Sequence, residues 1–210
     1  MKKNKLLVAL AIAACSSGTF AADDDITYSF GLKIWHHNLK VSETSSSAAS
    51  PIVSATAKKG DYFLTTSFFL PTTYSFNDNY VKRKDTDFAA GYSLNSNLSA
   101  LIGTKKINVD SYDTSWDIST IKMTYVGLNA FTPVGENSFV YGQVTRSIKL
   151  IDSSVTNGAK TTFTGYEAGY GYLLNKNTQL TVGYRSQKFA YSGLSNTTLP
   201  GIIFGLNITP

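Results

Sequence analysis

TFTGYEAGYGYLLNKNTQLTVGYRSQ, running from Thr162 to Gln187, is the stretch whose reading decides the fold. It reads as two strands joined by a tight turn at Asn175-Lys176-Asn177. On the first strand Tyr166, Ala168, Tyr170, Tyr172 and Leu174 share one parity; Gly165, Glu167, Gly169 and Gly171 share the other. On the second, Leu180, Val182 and Tyr184 alternate with Thr181, Gly183 and Arg185. Side chains in a strand alternate faces with period two, so the hairpin has one apolar, aromatic face and one face of glycine and charge. A water-soluble sheet buries the apolar face in a core. A membrane barrel turns it to lipid and keeps the rest inside.

The same split recurs outward from this hairpin. Ile26 to Leu39 sets Ile26, Tyr28, Phe30, Leu32 and Ile34 against Thr27, Ser29, Gly31, Lys33 and Trp35. Lys84 to Leu94 sets Phe88, Ala90, Tyr92 and Leu94 against Asp85, Asp87, Ala89 and Gly91. Leu98 to Lys106 returns after Asn95-Ser96-Asn97, a turn suited to Asn because Asn tolerates positive φ. Tyr62 to Leu70 is a further strand, and Thr197 to Ile208 closes the chain with Ile202, Phe204, Leu206 and Ile208 on one face. Ser119 to Thr132 and Ser138 to Leu150 flank a turn at Pro133 to Asn137, but their facing stays open, because Val126 and Leu128 oppose Tyr125 and Gly127.

A weak repeat supports this division. Ala90-Gly91-Tyr92 precedes Leu94-Asn95-Ser96-Asn97, and Ala168-Gly169-Tyr170 precedes Leu174-Asn175-Lys176-Asn177. Connections alternate between short turns and longer polar segments. Lys40 to Ser50, Pro71 to Arg83, Asn108 to Asp117 and Asp152 to Lys160 read as the longer loops, with a shorter one at Ser192 to Asn196. Barrels of the outer membrane have short periplasmic turns, longer external loops and an even strand number. Parity therefore admits the weak segment Pro51 to Ala57 as a strand. The expectation is an all-β, antiparallel up-and-down transmembrane barrel of ten strands, with eight to twelve as the range and both termini on the short-turn side.

The chain of 210 residues opens with Lys2, Lys3 and Lys5 before an apolar run from Leu6 to Ala14. Thr19-Phe20-Ala21 offers a small residue for cleavage, so residues 1–21 read as a secretory signal peptide and 22–210 as the barrel domain. Ile12-Ala13-Ala14-Cys15 also has the look of a lipobox, which leaves lipidation of Cys15 open; the cut before Ala22 removes the chain's single cysteine. Without the leader lysines, 16 basic residues face 14 acidic ones. That balance gives no basis for nucleic-acid binding. No stretch after the leader approaches the roughly 18 apolar residues of a membrane helix. Membrane entry then requires a closed barrel.

Several of these residues resemble those of Gram-negative outer-membrane β-barrels. They are Gly31-Leu32-Lys33-Ile34-Trp35, the run Arg83 to Tyr92, and Glu167-Ala168-Gly169-Tyr170 through Gly183-Tyr184. The nearest likeness is to the small proteins grouped as outer-membrane beta-barrel-domain proteins, and it covers most of the chain after the leader. It implies residence in the outer membrane with lipid as the surrounding partner. The terminal aromatic residue usual in such families is absent, since the chain ends Leu206-Asn207-Ile208-Thr209-Pro210.

Parity assigns Lys33, Asp85, Asp87, Lys105, Glu167 and Arg185 to the lumen, with Lys122 and Arg146 on the less settled strands. It assigns Tyr28, Phe30, Phe88, Tyr92, Tyr166, Tyr170, Tyr172, Tyr184 and Phe204 to lipid. A barrel of about ten strands is only slightly wider than the eight-strand size whose interior side chains fill, which argues against a general porin. Two readings of the lumen remain: an internal salt-bridge network that plugs it, or a narrow, charge-lined path for small polar solutes.

His36 and His37 are the only histidines, near the loop end of the first strand. They admit a rival reading as an outer-membrane lipid or peptide hydrolase. Adjacent residues face opposite ways, which disfavours a shared metal site. A second rival is a soluble exported barrel carrying an apolar ligand. No phosphate loop, CxxC or zinc spacing is present, and no cofactor is expected.

Overall fold

A computed structural model describes residues 26–210, apart from 77–78, 112–118, 154–160 and 193–194. Met1 to Ala21, with Cys15, lie outside the described residues, as do Tyr112 and Trp116. The strands are β1 (Ile26–Val41), β2 (Thr44–Lys59), β3 (Tyr62–Phe76), β4 (Asn79–Ser93), β5 (Leu98–Ser111), β6 (Ser119–Pro133), β7 (Ser138–Ser153), β8 (Thr161–Asn175), β9 (Thr178–Tyr191) and β10 (Thr197–Ile208). Each pairs antiparallel with its neighbours in sequence, and β1 pairs with β10 to close a ten-stranded barrel. Closure leaves no sheet edge to be satisfied. Among the described residues no helix is long and apolar enough to cross a membrane, so a crossing must be made by strands.

Two of the expected loops are strands. Lys40 to Ser50 is the end of β1, a tight reversal at Ser42 (φ 53°), and the start of β2. Pro71 to Arg83 belongs mostly to β3 and β4. Polar composition suggested loops here, but strands that overhang the bilayer can carry polar side chains on the outside. β1 and β2 have 16 residues each, against about 9–11 for a strand that only spans. Pro71 is tolerated because it sits at a bulge between Phe69 and Thr72, where the ladder of hydrogen bonds is already interrupted. The weak segment Pro51 to Ala57 is the centre of β2.

The turn ends are built as their residues demand. In both copies of the repeat the first Asn side chain caps the turn: Asn97 N donates to Asn95 Oδ1 (2.8 Å) and Asn177 N to Asn175 Oδ1 (2.9 Å). Gly60, at φ 57°, makes the turn between β2 and β3.

The barrel's polarity inverts along its axis. In the half nearer the short turns the outer face is apolar: Leu32, Leu64, Phe88, Ile102, Leu128, Val144, Val182 and Phe204 are all exposed. In the half nearer the other end the outer face is polar, with Asn38, Lys40, Ser47, Thr73, Lys84 and Lys106 exposed. There the interior holds the apolar core, including Trp35, Leu39, Ile52, Phe69, Tyr74, Met123, Phe163, Phe189 and Leu199. The strands β6 and β7 fall in line: Val126, Leu128, Val140 and Val144 point outward, and Tyr125, Gly127 and Phe139 inward.

Candidate functional site

The site lies inside the barrel and is made of charged side chains on β1, β4, β5, β8 and β9. Inward glycines give these groups and the ring side chains their space. A Cβ on Gly91 would meet the Phe63 ring, one on Gly171 the Phe139 ring, and one on Gly103 the hydroxyl end of Tyr125. The glycine-rich face seen in the sequence is therefore a set of recesses filled by aromatic side chains from neighbouring strands.

Near mid-barrel, Glu167 is almost wholly buried. It accepts a bond from Lys33 Nζ at 2.8 Å, and Arg185 Nη1 lies 3.6 Å from its other oxygen. Beside it Lys105 Nζ stands 2.5 Å from Asp87 Oδ2, and the Tyr125 hydroxyl donates to Asp87 Oδ1. Register explains two of these contacts, since Glu167 is opposite Arg185 and Asp87 opposite Lys105. Lys33 reaches Glu167 from β1, across the lumen. Arg185 also lies over the Trp35 ring, 5.1 Å from its centroid.

Closer to the overhanging end, Arg83 grips Asp85 through two bonds, Nε to Oδ1 at 2.8 Å and Nη2 to Oδ2 at 2.5 Å. It donates a third to Gln187 Oε1 at 2.7 Å. Its guanidinium also packs near the rings of Phe69 (5.2 Å) and Phe189 (5.7 Å). The paired fork uses the planar geometry that Arg alone provides. Unpaired buried charge is costly, and bidentate pairing with a third acceptor satisfies most of the donors.

His36 and His37 do point to opposite faces. His36 is exposed on the outer face; His37 is buried and stacked on Trp35 at 4.0 Å. The Trp35 carbonyl, 3.0 Å from Nδ1, can only accept, so Nδ1 carries the proton. Nε2 then accepts from the Tyr74 hydroxyl at 2.7 Å. Both ring nitrogens are thus engaged without a carboxylate or serine. Among the described residues no group of His, Cys, Asp and Glu is arranged to hold a metal.

Lys33, Asp85, Asp87, Lys105, Glu167 and Arg185 all face the lumen, as parity predicts. Lys122 and Arg146 do not. Both share the outward parity of Val126 and Val144 on strands whose facing the sequence left open, and both are exposed on the outer face. Tyr28, Phe88, Tyr92, Tyr166, Tyr170, Tyr172, Tyr184 and Phe204 are exposed on that face, and Phe30 is half-buried there. Arg83, Gln187, Tyr74 and Tyr125 were not anticipated. Arg83 and Gln187 were within reach: each lies two residues beyond a lumenal charge on the same strand, Asp85 and Arg185.

A cavity of about 40 Å³ remains beside Asp87, Lys105, Tyr125, Glu167, Arg185 and Gln187. One water needs roughly 10–15 Å³ by the same measure, so the space suits about three or four waters.

The barrel superposes along nearly its whole length on solved outer-membrane proteins. With the outer membrane protease OmpT of Escherichia coli the TM-score is 0.52 at 11% identity, covering 89% of this chain and 96% of that one. With an outer membrane channel of Pseudomonas putida F1 it is 0.51 at 9% identity, covering 92% and 98%. The fold is that of the outer-membrane β-barrels. Neisserial surface protein A superposes more loosely, with a TM-score of 0.46 at 15% identity over 87% of this chain and 97% of that one. No family model matches the sequence, and no curated protein matches it. At these identities the likeness fixes the fold. The outward apolar band of the turn-side half independently requires a hydrocarbon surround. A soluble barrel with its apolar face inward along the whole strand is not what this chain forms.

Proposed function

We propose that this protein is a closed outer-membrane barrel, a rigid scaffold whose lumen does not conduct solutes. One observation carries the reading: the lumenal charges neutralise one another across strands, beneath a densely filled apolar layer. Glu167 is shared by Lys33 and Arg185, Asp87 holds Lys105, and Asp85 holds Arg83. A path for ions needs charged groups that a passing ion can engage and leave. Here each carboxylate already has a cation, and the cavity beside them has room for water and not for a solute. The scaffold also carries strand ends well clear of the lipid, which gives a partner a surface to bind. Catalysis has no part in this reading, because the ring nitrogens of His37 are committed to Trp35 and Tyr74.

Planar bilayer recording tests it. The wild-type protein is expected to give no steady conductance steps. Glu167→Gln leaves Lys33 and Arg185 facing each other without their carboxylate, and is expected to produce flickering or lowered stability with no ion-selective steps. Steady, ion-selective steps from the wild type would overturn the proposal. A change of their selectivity in Glu167→Gln would place a narrow path through this network.

A further inference from the structure

The charges inside the barrel do not balance. Away from the turns, the described residues that face the lumen include four cations, Lys33, Arg83, Lys105 and Arg185. Against them stand three carboxylates, Asp85, Asp87 and Glu167. His37 adds no charge, because its Nε2 accepts from the Tyr74 hydroxyl and the ring is neutral. One positive charge is in excess among these residues.

The contacts place that excess on Arg185. Asp85 gives both oxygens to Arg83. Asp87 gives one oxygen to Lys105 and the other to the Tyr125 hydroxyl. Glu167 gives Oε1 to Lys33 at 2.8 Å. Arg185 stands 3.6 Å from the remaining Glu167 oxygen, which is beyond hydrogen-bond length. A guanidinium carries five N–H donors, and neither Glu167 at that distance nor the Trp35 ring beneath satisfies them.

The cavity of about 40 Å³ lies against this residue. Lys105 lines it as a second cation, and Gln187 lines it as well. Gln187 spends its amide oxygen on Arg83, so what it offers the cavity is its NH2 group, a donor. Asp87 and Glu167 are also in the wall, each already paired with a cation. The side chains of Lys33 and Arg185 keep 25% and 20% of their surface accessible, so small ions can reach the network. A charge withdrawn from bulk water without a counter-charge is costly.

We infer that this cavity holds one monovalent anion of about chloride's size, bound to Arg185 and assisted by Lys105 and the Gln187 amide. A chloride ion is little larger than a water, so a space for three or four waters admits it with water beside it. An organic acid does not fit. One negative charge brings these lumenal groups to neutrality, and a divalent anion would overshoot. The ion is resident, held as a further member of the network, so the lumen stays closed. This goes beyond the scaffold reading, which needs only that each carboxylate has a cation; the anion answers the cation left over.

Urea unfolding of the full-length barrel in detergent micelles tests this, in sodium chloride and in sodium gluconate at equal ionic strength. Equal ionic strength holds screening constant, and gluconate is too large for the cavity. A ligand that binds only the folded state raises stability with its concentration. The wild type is expected to grow more stable with chloride and not with gluconate. Arg185→Gln removes the excess charge and is expected to weaken the apparent chloride affinity by about tenfold, the loss of one charge-assisted hydrogen bond. Arg185→Lys keeps the charge and is expected to retain most of the chloride effect. Arg146→Gln, at an exposed cation on the outer face of β7, is expected to leave it unchanged. Equal effects of chloride and gluconate on the wild type would overturn the inference. So would an undiminished chloride effect in Arg185→Gln. Should that variant fail to fold, wild-type crystals grown in sodium bromide decide through anomalous scattering. A bromide peak in the lumen beside Arg185 would support the inference; an adventitious ion only, on the outer surface, would overturn it.

Discussion

The two halves of this barrel use opposite rules. In the turn-side half, Leu32, Phe88, Ile102, Val182 and Phe204 face out, while Gly91, Glu167, Gly171 and Gly205 face in. In the overhanging half, Asn38, Thr73, Lys84 and Lys106 face out, while Trp35, Tyr74, Met123 and Phe189 face in. The first half is arranged for hydrocarbon outside, the second for water outside. β4 shows the change within one strand and one parity: Lys82, Lys84 and Thr86 give way to Phe88, Ala90 and Tyr92 on a continuous outer face. The lesson is that a strand's alternation fixes which residues share a face, but the solvent at each level decides which face is apolar. The charge network sits where the two regimes meet, and it is covered by the apolar core of the second.

The largest way to break this comparison is to remove the core of the overhanging half. Trp35 is fully buried, stacked on His37 and edge-on to Phe69. Trp35→Ala is expected to cost about 3–5 kcal/mol. Urea unfolding in phospholipid vesicles measures it. A cost near zero would mean that this half is not a packed core and that the lumen is open at its external end.

The same inversion explains what the sequence showed and what it hid. The lipid-facing half was legible, because apolar residues alternating with glycine and charge repeat from β1 to β10, and even parity then admits Pro51 to Ala57. The overhang was hidden, because its outer face is serine, threonine, asparagine and lysine, the composition of loops. Lys40 to Ser50 and Pro71 to Arg83 read as loops for that reason, and such a reading takes Arg83 out of the site. At Leu70-Pro71 a bulge also changes the parity of β3, so that Phe69 and Thr72 both face in. No period-two reading carries across such a step. Lys122 and Arg146 were misplaced for a different reason. On β6 both faces carry bulky residues, Tyr125 inward and Val126 outward, and contrast between faces is the only signal available. The cross-lumen contact of Lys33 with Glu167 depends on closure of the barrel, which local sequence does not encode.

A second test concerns the pair that anchors the covered network. Arg83 and Asp85 are both almost fully buried. Arg83→Met leaves the Asp85 carboxylate without its partner, and is expected to cost about 3–4 kcal/mol. The double variant Arg83→Met, Asp85→Leu removes both charges and is expected to recover most of the loss, because the surrounding Phe69 and Phe189 rings accept apolar neighbours. Unfolding of the three proteins under one condition checks this. Equal loss in the single and double variants would mean that the pair positions the strands rather than merely neutralising itself.

The smallest effects locate the boundary between the halves. Val182 is exposed at the middle of the apolar band, and Thr73 is exposed on the overhang. Val182→Arg places a charge in hydrocarbon and is expected to cost about 2–4 kcal/mol. Thr73→Arg places the same charge in water and is expected to change stability by no more than about 0.5 kcal/mol. The difference isolates the solvent, because both positions are exposed strand residues on the same outer surface. Equal, small costs would mean that lipid does not surround the turn-side half. Equal, large costs would mean that the bilayer covers the overhang as well, and the buried Trp35, Tyr74 and Phe189 would then lie beneath lipid instead of beneath water.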